Sequence, residues 1–102
     1  MIRAELEELL VQKSGLLRKL SRFGDHHSYF VGSREIAHFH GDGRMDVRLT
    51  SQLIRDLQKK GVLDRRVLTR GPTANWATVP LSDEDDLDLA VEMVDLAMQA
   101  NS

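Results

Sequence analysis

The chain has 102 residues, of which 41% are hydrophobic and 29% charged, with 14 Lys and Arg, 16 Asp and Glu, and no cysteine. This length supports one domain, residues 1–102, with a single modest core burying roughly 60–70% of the unfolded surface. The composition excludes a disordered chain, a collagen-like repeat and a coiled coil, and the lack of cysteine excludes disulfides and thiolate metal sites.

Ile2, Leu6, Leu9 and Leu10 recur on one helical face, with Glu5, Glu7 and Glu8 on its flanks and Lys13 at its end, as the helix dipole prefers. These early charges do not read as a secretory signal, and no apolar run reaches the ~20 residues of a membrane span, so a cytoplasmic protein with no membrane contact is expected. Gly15 is a natural stop for the first helix. Leu17 to Arg22 reads as a strand, and Ser28 to Val31 as a second. Gly32-Ser33 forms a two-residue hairpin turn with glycine first, and Arg34 to His40 returns as a third strand. After Gly41-Asp42-Gly43, Arg44 to Leu49 is another strand. Thr50 caps a helix over Ser51 to Lys60, with Leu53, Ile54 and Leu57 on its apolar face and Gly61 ending it.

Arg66 to Arg70 and Trp76 to Pro80 read as strands around a Gly71-Pro72 turn. A last helix starts at Ser82, with four acids in its first turn and Asp85 completing a capping box; these acids read as a helix start rather than a metal site. Its apolar arc, within residues 87–98, is unusually wide. The excess predicts packing on the first helix or on a second copy, and the second choice would give a homodimer through residues 87–98. The resulting class is α+β: a single antiparallel sheet of about five strands and three helices, in the order helix, strands, helix, strands, helix. Charge is segregated, with thirteen Lys and Arg against six Asp and Glu from Lys13 to Arg70, and seven acids without a base from Asp83 to Asp95. Opposite charges on one small domain neutralise each other, and no basic stripe with aromatic interleaving is present. Nucleic acid is therefore not the expected partner.

The central hairpin can be registered from its own pattern. A three-residue Gly41-Asp42-Gly43 loop, with Gly43 left-handed, pairs Phe39 with Met45 and Ala37 with Val47, so apolar meets apolar. His38 then faces Asp46, His40 faces Arg44 and Ile36 faces Arg48 on the other side. With Val31 facing Arg34, the same logic puts Phe30 and Ser28 on the core side and Tyr29 and His27 on the polar side, with His27 opposite His38. A row His27–His38–Asp46 results, with Tyr29, His40 and Arg48 beside it. Asp46 would orient the His38 imidazole, leaving His38 as a general base. The row also fits the solvated side of an antiparallel sheet. His38, His40 and Asp46 have a metal-like separation, yet no third histidine follows at a characteristic spacing, so neither a metal nor a cofactor is expected. Glu35 points toward the core in this register and would need a partner such as Arg22 or Arg34. Trp76, the sole tryptophan, reads as core or as a stacking wall beside the row.

Arg22-Phe23-Gly24, the segment Gly32-Ser33-Arg34-Glu35-Ile36-Ala37-His38-Phe39-His40, Asp46, Trp76 and the acidic start of the last helix resemble the luciferase-domain family, in order from about Ser21 to Ala97. That family is named for the fungal luciferases and includes many small bacterial and archaeal proteins. The resemblance implies an α+β domain and shared positions at Arg34, Glu35, His38 and Asp46. In the fungal enzymes it implies oxygenation of a hydroxylated hispidin by O₂ without metal or flavin, which a base deprotonating an enol-like phenol would serve. The chain departs from the pattern where many relatives carry histidines and a Ser-Gly before the tryptophan; here Arg65, Arg66 and Thr69 precede it, with Ala74 and Asn75 adjacent. It also lacks the N-terminal membrane segment of the fungal enzymes, so light emission is not implied. The expected function is binding of a small phenolic or enolic molecule at His38 and Asp46, with His27, Tyr29, Glu35, His40 and Trp76 around it and Arg34 or Arg48 as an anion contact. The competing reading is a non-catalytic interaction module that dimerises through the last helix, and a third is nucleic-acid binding through the basic middle segment.

Overall fold

The first stretch forms helix α1, Ile2–Val11, and its 3.6-residue periodicity buries Leu6 and Leu10 completely while Leu9 stays exposed. The structure, a computed structural model, describes residues 2–20 and 27–102. Strand β1 is Leu17–Leu20; the expected continuation to Arg22 lies outside the described residues, as does the Arg22-Phe23-Gly24 motif. Then follow β2 (His27–Val31), β3 (Arg34–His40), β4 (Arg44–Arg48), α2 (Ser51–Lys59), β5 (Leu68–Thr69), β6 (Trp76–Pro80) and α3 (Asp85–Ala100). The class is α+β with three helices, and one antiparallel sheet of six strands runs in the order β1-β2-β3-β4-β6-β5. β5, expected over Arg66 to Arg70, is only two residues long and sits at the sheet edge.

The β3–β4 register is the one that apolar pairing predicts: His40 faces Arg44, Phe39 faces Met45, His38 faces Asp46 and Ala37 faces Val47. The left-handed residue of the loop is Gly41, at φ 67°, rather than Gly43. β6 pairs on the far side of β4, with Thr78 opposite Asp46 and Trp76 opposite Arg48.

The β2–β3 register differs from expectation. Val31 does face Arg34 across the Gly32 turn, and Phe30 faces Glu35, but Tyr29 then faces Ala37 and Ser28 faces His38. Ile36 is the extra residue of a β-bulge, which reverses the inside and outside of every position beyond it. Tyr29 is therefore a core residue, edge-on to Phe39 at 6.1 Å, and not part of the polar row. His27 is exposed at the start of β2, opposite Leu20, and does not face His38.

Met45, Val47, Ala77 and Val79 alternate onto the face covered by α3, whose Leu89, Ala90, Met93, Val94 and Ala97 are buried; α1 packs beside it through Leu6 and Leu10. A Lys13 Nζ–Asp95 Oδ1 ion pair of 2.6 Å ties the end of α1 to α3. The apolar arc of α3 is thus taken up by the sheet and α1, and none of its large side chains is exposed. α3 begins at Asp85 rather than Ser82, and the expected capping box is made differently. Asp86 Oδ2 accepts from Ser82 N at 2.8 Å and Asp83 N at 3.0 Å, while its Oδ1 accepts from Arg66 Nη1 at 2.9 Å. Among the described residues, no helix is long and apolar enough to cross a membrane.

Candidate functional site

On the face opposite α3, alternation leaves Asp46 of β4 and Thr78 of β6 in one row with His38 of β3. His38 Nε2 lies 3.1 Å from Asp46 Oδ2, and Thr78 Oγ1 donates to Asp46 Oδ1 at 2.8 Å. Both carboxylate oxygens are therefore engaged, and the carboxylate cannot rotate without breaking one contact. His40, two residues on from His38 and mostly exposed, brings its Nδ1 to 3.7 Å from the same Oδ2.

The bulge also accounts for Glu35. In a regular strand, residues three apart point to opposite faces. With Ile36 as the extra residue, Glu35 turns onto the polar face, and its Oε1 comes to 3.5 Å from His38 Nδ1. The core-facing Glu35 that regular alternation predicts is thus corrected, and Glu35 makes no ion pair with Arg34. A partnership with Arg22 lies outside the described residues. His38 is bracketed by two carboxylates. Its Nδ1 is buried on the Glu35 side, and its Nε2 faces Asp46.

The Trp76 ring lies 5.1 Å from the His38 ring at an interplanar angle of 48°. It is half-buried and forms the wall of an open pocket of about 320 Å³, lined by His38, Asp46, Arg70, Ala74, Asn75, Trp76 and Thr78. Asn75 is held rigidly. Its backbone carbonyl accepts from Thr50 N at 3.0 Å and its side-chain Oδ1 accepts from Ser51 N at 2.9 Å, so the start of α2 fixes this wall. Among the described residues, no group of three or more His, Asp or Glu is arranged to hold a metal ion.

The luciferase-domain family model matches residues 33–97. The chain belongs to the luciferase-domain family. The match begins at the β2–β3 turn and ends within α3, so it contains Glu35, His38, Asp46, Trp76 and the whole pocket lining. No curated protein and no solved structure matches the chain.

Within this luciferase domain the two arginines expected as anion contacts are placed elsewhere. Arg34 is exposed beside the Gly32-Ser33 turn and is not part of the pocket lining. Arg48 donates from Nη1 to Asn101 Oδ1 at 2.8 Å, and Asn101 Nδ2 donates back to the Arg48 carbonyl at 2.7 Å, so Arg48 secures the end of α3. The pocket's cation is Arg70, which sequence reasoning missed together with Asn75 and Thr78. The alternation of Trp76-Ala77-Thr78-Val79 already places Thr78 on the polar face. That β6 is the neighbour of β4 is a non-local pairing that no local pattern encodes.

Proposed function

We propose that this luciferase domain binds a small organic molecule with an acidic phenolic or enolic hydroxyl in the Trp76 pocket, and that His38 serves as the general base for that hydroxyl. The observation that carries this reading is the His38 Nε2–Asp46 Oδ2 contact of 3.1 Å on the wall of a pocket whose other wall is an indole. An imidazole is the side chain best suited to move a proton near neutral pH. Because Nδ1 is buried toward Glu35, Nε2 is the nitrogen a ligand can approach. Glu35 therefore stands behind the ring, where it orients a proton on Nδ1, and this leaves the Nε2 lone pair to take the hydroxyl proton; Asp46, beside Nε2, stabilises the imidazolium that forms as the ligand becomes an oxyanion. This reverses the simplest assignment, in which Asp46 alone orients His38. The Trp76 face supplies apolar contact for a flat ring.

A module dimerising through residues 87–98 has weaker support, because the apolar side chains there are already packed against the sheet and α1. The test is an NMR titration with 4-hydroxycoumarin, an enol, and 4-nitrophenol, an acidic phenol. We expect the single indole resonance of Trp76 and the ring resonances of His38 to shift together, and His38→Ala to abolish binding of the ionisable probes while leaving the fold intact. Shifts confined to other surfaces, or unchanged binding in His38→Ala, would overturn the proposal.

A further inference from the structure

We infer that the ligand of this pocket is a planar acid, a hydroxylated aromatic or enolic ring bearing a carboxylate, and that Arg70 and Asn75 are the residues that select the carboxylate. The inference rests on the reading of the pocket given above and deepens it by naming the ligand class.

The pocket is polarised. At one end stand the acceptors, Asp46 in the pocket and Glu35 behind His38. At the other end stand donors. Thr69 pairs with Ala77, so the next residue, Arg70, comes level with Trp76, two positions along β6 from Thr78. Alternate residues on one strand face are separated by about 7 Å, which is close to the distance between the hydroxyl and carboxylate ends of a para-hydroxylated benzoate. Arg70 is exposed at the pocket mouth, and among the described residues no carboxylate pairs with it. The other guanidiniums near functional elements are committed: Arg3 to Glu7 and Asp42, Arg48 to Asn101, and Arg66 to Asp64 and Asp86.

Asn75 strengthens the donor end. Its Oδ1 is occupied by Ser51 N, so the group it can offer a ligand is its NH₂, a donor only. A guanidinium fork beside an amide donor matches a carboxylate, which accepts two parallel hydrogen bonds. A carboxylate turned the other way would meet Asp46 and be repelled. One orientation is therefore favoured: carboxylate toward Arg70 and Asn75, ring against Trp76, hydroxyl toward His38 and Asp46.

Trp76 is the sole tryptophan, so its indole N–H gives one unambiguous NMR reporter. The experiment titrates 4-hydroxybenzoate and the longer 4-hydroxycinnamate, each against its methyl ester, into the wild-type chain and into Arg70→Gln. Arg70 is exposed, so this substitution leaves the core untouched. In the wild type an acid should bind about tenfold more tightly than its ester, the scale of a charge-assisted pair at a partly exposed site. In Arg70→Gln that preference should collapse, with the acid losing most of its roughly tenfold advantage and the ester losing less. Equal binding of acid and ester by the wild type would overturn the carboxylate assignment and leave the phenol or enol site standing. A preference that survives in Arg70→Gln would overturn the role of Arg70. If no probe moves the indole while 4-hydroxycoumarin does, the acid class is wrong; if none of them moves it, the site reading itself fails.

Discussion

At the level of single residues, the bulge residue Ile36 has the largest consequence. One additional residue in β3 turns Glu35 out of the core and onto the His38 face, and turns Tyr29 inward. Hydrophobic patterning alone could not reveal this, because Phe30 and Tyr29 are both acceptable core residues and either parity of β2 buries an aromatic ring. Tyr29 bears a visible cost. Its side chain is 1% exposed, its hydroxyl has no hydrogen-bond partner among the described residues, and burial pushes its ionisation above the usual tyrosine range. A buried hydroxyl without a partner is destabilising by about 1–3 kcal/mol. Tyr29→Phe should therefore leave stability unchanged or raise it by about 1 kcal/mol, as urea denaturation would measure. A loss of more than that would mean that the hydroxyl has a stabilising partner in solution.

At the level of elements, the β4–α2 junction holds the pocket's Asn75 in place and does so under strain. Thr50 has φ 75° and ψ 147°, a backbone region that residues other than glycine rarely enter. The conformation is held by Thr50 N donating to the Asn75 carbonyl and by Thr50 Oγ1 accepting from Leu53 N at 3.3 Å as the helix cap. Thr50→Ala loses the cap and keeps the strain, which should cost about 1 kcal/mol. Thr50→Gly loses the same cap but relieves strain of about 1–3 kcal/mol. Glycine should thus be the more stable of the two variants in thermal melts, even though alanine is the better helix former; the reverse order would show that the backbone there is relaxed.

For the whole molecule, the link between the α2–β5 loop and α3 runs through Arg66, which donates to Asp64 and to Asp86. The Arg66 hydrogen bond holds the Asp64 carboxyl down at about 2. Burial pushes Asp86 upward, but the Asp83 and Ser82 N–H groups and the Arg66 guanidinium outweigh it, and its net direction is also down. Both folded-state values lie below those of the unfolded chain. Their stabilisation is therefore fully present above about pH 4 and is lost as pH falls toward 2. Asp86→Asn keeps the shape, removes the charge and should cost about 2 kcal/mol at pH 7, with the difference from wild type narrowing as both are acidified to pH 2. A constant difference across that range would assign the effect to shape rather than charge.

Local order determined much of this protein. The three helices, the antiparallel strands, the Thr50 cap and the β3–β4 register follow from periodicity, turn chemistry and the pairing of apolar with apolar residues, all read within a few residues of one another. The pairing of His38 with Asp46 was legible for the same reason, since one short loop joins their strands. Tertiary structure alone decided the rest. β6 reaches β4 across a helix and a long connection, and so brings Thr78, Trp76, Asn75 and Arg70 to a histidine some forty residues away in the chain. Arg48 was drawn from the site to the end of α3, and Glu35 was turned into it by a bulge. Strand neighbours and bulges are set by how the whole core closes, and the free energy that selects them is spread over many burials rather than written in any one segment.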